Sequence, residues 1–276
     1  METAHELKFE SPSFFQRLKG MLGVDFYRLF HTPLYYIFLA IAAIIPAMIL
    51  GTMGMPGPDG TVAAPLYTNV WQIIAADTPL YVVNSIAEYA NMNMVFIFGG
   101  IMVSIFIGHD YKSGYVKQLF TTHAKKQDYM MSKSITCAFA MACMCITYLL
   151  GAVAAGLLTG ISFEVSVGAL VFAILGKMVM SLGWASLYTF LNIIFRRYFG
   201  ISIASSFFFG TGILIIGAAA VIGNNSALNI FLYGSSVYAC LSSNAVTLLV
   251  CLVVSVVWAV IYNVFGTRIL SKSDVY

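Results

Sequence analysis

The chain has 276 residues, of which 60% are hydrophobic and 9% charged, with a formal net charge of +3. An ordinary soluble domain carries about 25% charged residues. No water-soluble fold of this length hides that much apolar surface, so the composition excludes a soluble protein and points to an all-α integral membrane protein, read as a single domain. The basic residues sit at the borders of apolar segments rather than on one polar face, and imply no nucleic-acid partner.

Residues 1–12 are polar. Over residues 13–32, Phe14, Leu18, Leu22, Phe26, Leu29 and Phe30 recur at helical spacing, with Gln16, Arg17, Lys19 and Arg28 on or near the opposite face. This spacing predicts an amphipathic helix lying in the cytoplasmic interface and ended by Pro33. A simple basic anchor would produce the same pattern. No cleavable signal peptide is apparent, and the apolar run from Leu34 is expected to act as an uncleaved signal anchor.

The first predicted span covers residues 34–54, with Pro46 placed to kink its outer half. Residues 55–91 carry Asp59, Asp77 and Glu88 but no Lys or Arg, and are expected outside. A helix capped by Thr78 with Pro79 at its first position fits residues 78–91. The second span covers residues 92–108.

Residues 109–133 then hold five of the fourteen Lys and Arg residues: Lys112, Lys117, Lys125, Lys126 and Lys133. A loop this basic between two spans belongs in the cytoplasm. Tyr115 and Leu119 share one helical face, as do Val116 and Phe120, while Lys112, Lys117 and Gln118 point elsewhere. The pattern predicts a short amphipathic helix over residues 114–120. Its apolar face finds no partner in its own loop, so the expectation is contact with the bilayer surface or with another protein.

The third span is expected at residues 134–160, and the fourth at 167–195, ended by Arg196 and Arg197. The fifth is expected at 199–222, and the sixth at 245–265, followed by Arg268 and Lys272. Residues 223–244 lack Lys and Arg and lie outside in this scheme. Their apolar content predicts a re-entrant segment folded back into the protein. Six spans with both termini in the cytoplasm place every Lys and Arg except Lys177 on the inside.

Lys177 lies eighteen residues before Arg196, roughly 27 Å along a helix, which puts it in the outer leaflet. Two readings are open. The side chain either snorkels to the outer headgroups, or it lines the outer mouth of a pathway and meets Glu88, Glu164 or an anionic substrate.

The chemistry that is missing also decides something. Gly176-Lys177 is the nearest approach to a phosphate loop, but Met178 follows it and Val171 stands where the first glycine belongs. No metal-ligand spacing is present, and no acidic residue falls within a predicted span. Cys137, Cys143, Cys145, Cys240 and Cys251 read as small apolar fillers. A stand-alone ion-coupled carrier and an intramembrane enzyme are both disfavoured. A transporter without its own energy source needs a partner that supplies one.

The segment around residues 110–133 resembles the coupling segment of type-2 ABC exporter permeases, a likeness that covers nearly the whole chain. Asp110, Gly114, Lys117, Leu119 and Phe120 match its acid, Gly, basic and Leu-aromatic positions, followed by Lys125, Lys126, Tyr129 and Lys133. Asp110 stands where Glu is common, and Thr122 and His123 replace the expected Pro. The resemblance implies a permease subunit with a connecting helix before span one and a coupling helix between spans two and three. It assigns Asp110, Gly114, Tyr115, Lys117, Leu119 and Phe120 to the ATPase-coupling interface. It also implies two copies of an ABC ATP-binding subunit, which would bind ATP and Mg, and a second permease chain, identical or sister. This chain would hold no cofactor and catalyse nothing. The importer Glu-Ala-Ala signature is absent, which favours export; aromatic-rich walls and an apolar outside loop favour an amphipathic cargo such as a peptide, lipid or drug, and the likeness implies a bacterial plasma membrane. The alternative is a membrane signalling or assembly subunit that binds a cytoplasmic partner and transports nothing.

Overall fold

The computed structural model describes residues 12–52, 69–74, 93–121, 124–164, 167–214, 218, 221, 226–241 and 244–272. These residues are overwhelmingly helical. The outer loop at 55–91 falls largely outside them, and so do the capped helix expected at 78–91, Glu88, and the Thr122-His123 pair.

Helix α1 is Phe14–Phe30. It opens on a capping box, in which the Gln16 amide donates to the Ser13 hydroxyl and the Ser13 amide donates 2.9 Å to Gln16 Oε1. Pro33 then starts α2, Pro33–Thr52, at a position where its missing N–H has no intrahelical role. Helix α3 is Met94–Lys112, α4 is Tyr115–Thr121 and α5 is Lys126–Thr159. Helix α6 is Val167–Ile194 and α7 is Phe199–Gly210. A 3-10 turn at Ser226–Ile230 leads into α8, Leu232–Leu241, and α9 is Ala245–Lys272.

Among the described residues, α2, α3, α5, α6 and α9 are long and apolar enough to cross a membrane. Helix α5 has 34 residues, about 51 Å, well beyond a hydrocarbon core of about 30 Å. It therefore continues past the membrane border at its charged N-terminal end. The span expected at 199–222 is not one uninterrupted helix. Helix α7 stops at Gly210 after 12 residues, about 18 Å. Gly212 has φ +67, and the Tyr233 ring lies where its Cβ would be, so both conformation and space demand glycine at this break.

Helix α5 packs against α1, α2 and α6, α9 lies along α6, and α3 sits between α6 and α7. Small residues set the closest approaches. Gly151 on α5 meets the backbone of Ala43 on α2, and Gly183 on α6 meets the backbone of Ser255 on α9. Ser255 Oγ accepts from the Gly183 amide at 2.9 Å and donates to the Val179 carbonyl at 2.7 Å. Phe96, Trp184 and Tyr188 stack in the centre, with ring centroids 5.5 and 5.6 Å apart.

Helix α8 turns its Leu232, Tyr233 and Val237 side chains into this core. It packs on α6 and α9. At the opposite end of the bundle from α4, the Val70 amide donates 3.1 Å to the Ser162 carbonyl, and Asn69 bonds the Glu164 carbonyl.

Candidate functional site: a buried charge cluster above a short helix

The charged end of the bundle is organised by four ions. Lys133, on the first turns of α5, is completely buried. Its Nζ lies 2.6 Å from Asp25 Oδ1 and 2.7 Å from Asp110 Oδ2. Asp110, near the end of α3, also pairs with Arg28 of α1. Asp25 accepts a 2.6 Å bond from the Ser132 hydroxyl, and Asp110 a 3.3 Å bond from the Tyr129 hydroxyl. Two carboxylates and two cations thus neutralise one another with no exposed member except part of Arg28. Buried charges are tolerable only when paired and hydrogen-bonded in this way.

Aromatic faces close the cluster. The Arg28 guanidinium carbon is 4.3 Å from the Tyr115 ring centroid, and Lys133 Nζ is 4.7 Å from that of Phe106. Burial opposes the Arg28 charge, but the bond to Asp110 and the charges of Asp110 and Asp25 outweigh it, so Arg28 titrates above its ordinary value. Burial likewise raises the Tyr115 phenol and keeps it neutral. Further along α1, Arg17 Nε lies 2.7 Å from Asp128 Oδ2. Helix α1 is therefore clamped to α5 at two points.

Helix α4 hangs directly below. Gly114 has φ +73 with open space around its Cβ position, so the sharp entry into α4 requires glycine for conformation rather than for room. The apolar side of α4 is not left for an external partner alone. Val116 is buried with Tyr129, Met130, Ile193 and Leu270, and Leu119 and Phe120 pack against that cluster. The Phe120 and Tyr129 rings meet edge to face at 5.7 Å. The partner missing from the loop is supplied by α5, α6 and α9. Lys117, Gln118 and Thr121 form the exposed side. Between α1 and α4 runs a groove of about 660 Å³, lined in part by Met21, Val24, Tyr115 and Leu119.

The six residues expected at a coupling interface thus separate. Gly114, Tyr115, Lys117, Leu119 and Phe120 lie on or beside α4. Asp110 faces inward and is wholly buried. Arg17 and Arg28, expected on the polar face of α1, turn inward because Asp128 and Asp110 wait there. Sequence reasoning missed Asp25 and its pairing with Lys133. The available signal was an acid one turn before Leu29 and two turns after Leu18, on the face that is buried.

Lys177 is remote from this cluster. It is fully buried within the bundle. Its ammonium donates to Asn93 Oδ1 and, at 2.6 Å, to the Ser236 carbonyl, and lies 5.7 Å from the Phe96 ring centroid. These acceptors replace the water that a snorkelling lysine seeks.

The ABC-2 family transporter protein model matches residues 22–219 of the chain. No curated protein matches it. The family description implies association with an ATP-binding subunit, and the matched residues run from α1 through the charge cluster, α4 and α5 to α7. A match over most of the chain, on a bundle with several helices apolar enough to cross a membrane, places this protein in the ABC-2 transporter family as a multi-pass permease component.

Proposed function

We propose that this chain is the permease subunit of an ATP-driven ABC exporter, with six membrane passages and both termini in the cytoplasm of a plasma membrane. Helix α7 begins the fifth passage. The chain pairs with a second permease, identical or sister, above two ATP-binding subunits that hold ATP and Mg. Its substrate is an amphipathic peptide, lipid or drug.

One observation carries this reading. The charge cluster fastens α1, the end of α3 and the start of α5 into one unit directly above α4. A displacement of α4 is thereby passed to three helices at once, since packed elements move as rigid bodies rather than deforming continuously. Helix α4 presents Lys117, Gln118 and Thr121 to an ATPase, with Tyr115 and Leu119 lining the groove beside α1. An ATPase segment seated in that groove would push on α1 and α4 together.

The test is reconstitution of the chain with the ATPase that co-purifies from its host. Substrate-stimulated ATP hydrolysis and substrate movement are expected. A complex that binds the ATPase but moves nothing, at any substrate, would leave the assembly or signalling role instead.

A further inference from the structure

A cavity of about 410 Å³ lies beside the break that follows α7, where Gly212 makes room for the Tyr233 ring. Aromatic side chains reach it from four helices: Trp184 on α6, Phe208 on α7, Tyr233 on α8, and Trp258 and Tyr262 on α9. Seven of the twelve described residues that line it are aromatic, against 14% of the whole chain, and none of the twelve is charged.

Two ordinary reasons for aromatic residues in a membrane helix do not fit these rings. Interfacial belts hold Trp and Tyr at headgroup level. Trp258 is instead the fourteenth of the 28 residues of α9, about 20 Å from either end, at mid-depth of the span. Contact with lipid tails does not need rings either, and the same helix exposes Val253, Val256, Val257 and Val260. Trp258 and Tyr262 lie one turn apart and stack at 5.3 Å between centroids, and Phe231 extends the stack at 6.2 Å. The indole donors are already used. Trp184 Nε1 donates 2.9 Å to Ser236 Oγ, and Trp258 Nε1 donates 2.8 Å to the Ile230 carbonyl. These bonds fix both rings and leave their carbon surface for a guest.

We propose that this cavity is a binding site for a planar aromatic molecule. Its volume falls within the roughly 300–1,000 Å³ of small-molecule sites, which sit between the helices of bundles and are lined mainly by apolar and aromatic side chains. A flat guest meets rings on several sides, offset or edge to face, and each such pair gains more than burial of area alone. A saturated molecule of the same shape gains only the area. A localised ion is rejected, because no described lining residue offsets the loss of its hydration.

The experiment uses the full chain in detergent with Trp71→Phe, which leaves Trp184 and Trp258 as its tryptophans. Their emission excites bound 1-aminoanthracene, and competitors are scored by loss of that energy transfer. 2-Naphthol is expected to displace the probe, and decahydro-2-naphthol, the same skeleton without aromatic rings, to do so about tenfold less well. Phe208→Leu/Phe231→Leu removes two rings at partly exposed side chains and keeps the wall apolar. It should weaken the probe about tenfold at an unchanged unfolding temperature. Tyr262→Leu serves where that variant fails to fold, with a loss of about threefold. Equal displacement by the two naphthols would overturn the proposal and leave an apolar crevice for acyl chains. Variants that bind the probe like the parent, or energy transfer that does not saturate, would overturn it too. None of these readouts involves an ATPase, so failure here leaves the permease reading standing.

Discussion

Lys133 and Asp25 form an ion pair in which both side chains are fully buried, with Nζ 2.6 Å from Oδ1, although 108 positions separate them in the chain. One partner lies on α5, the other on α1. The pair therefore ties α1 to the charged start of α5, and Asp110 on the far side of the same ammonium adds α3.

The first prediction concerns that ammonium. Lys133→Met leaves Asp25 and Asp110 sharing only Arg28, with one carboxylate unpaired. Breaking a buried pair in this way costs about 3–5 kcal/mol, so the unfolding temperature in detergent should drop sharply. Adding Asp25→Asn restores neutrality and should recover part of the loss. Arg17→Ala leaves the buried Asp128 carboxylate without its cation and should also destabilise, though less than Lys133→Met, because Arg17 itself is partly exposed. A single variant at Lys133 as stable as the parent would mean that the cluster does not hold α1 in place.

The second prediction separates docking from folding on α4. Lys117→Glu alters the exposed side and should leave the unfolding temperature unchanged while lowering substrate-stimulated ATP hydrolysis in the reconstituted complex. Leu119→Asp places a carboxylate against Tyr129, Met130 and Leu270, so it should lower both stability and coupling. If Lys117→Glu couples normally, α4 does not meet the ATPase through this side.

Much of this architecture is readable from residue chemistry alone. The asymmetry of Lys and Arg and the apolar runs place the long helices. Their ends are less readable, because a charge looks like a membrane border whether or not it is paired. Residues 126–133 look like loop, yet Asp128 and Lys133 are buried within α5, their charges met by Arg17, Asp25 and Asp110. Asp25 shows the same blind spot from the other side, since an acid on an apolar face reads as an irregularity until its lysine is known. The partners of Lys177 were hidden for a different reason. One is a backbone carbonyl, which every residue carries and no pattern marks.

The third prediction is topological. Asn69 and Glu164 touch at one end of the bundle, while Lys126 Nζ donates 2.8 Å to the Leu270 carbonyl at the other. Cysteines introduced at Asn69, Glu164 and Asn229 should label from outside the cell, and those at Lys125, Arg197 and Lys272 only after permeabilisation. Labelling of either group from the wrong side would break the six-passage arrangement, because paired loops must share a side.

The last prediction returns to Lys177. Its ammonium joins Asn93, just before α3, to the Ser236 carbonyl in α8, and so braces the inward-folded helix against the core. Lys177→Met removes a donor from each acceptor, which costs about 1–3 kcal/mol for each group left unsatisfied. It also removes the burden of a buried charge, and methionine fills much of the same volume beside Phe96. The two effects oppose each other globally but not locally, since α8 loses its link through the ammonium to Asn93. Hydrogen exchange should therefore quicken in residues 232–241 while the overall unfolding temperature moves little. If the brace is all that Lys177 provides, substrate stimulation of the ATPase should change only as far as α8 loosens. A pathway lysine behaves differently, altering the stimulation curve while α8 keeps its protection. Unchanged exchange together with unchanged stimulation would remove both roles.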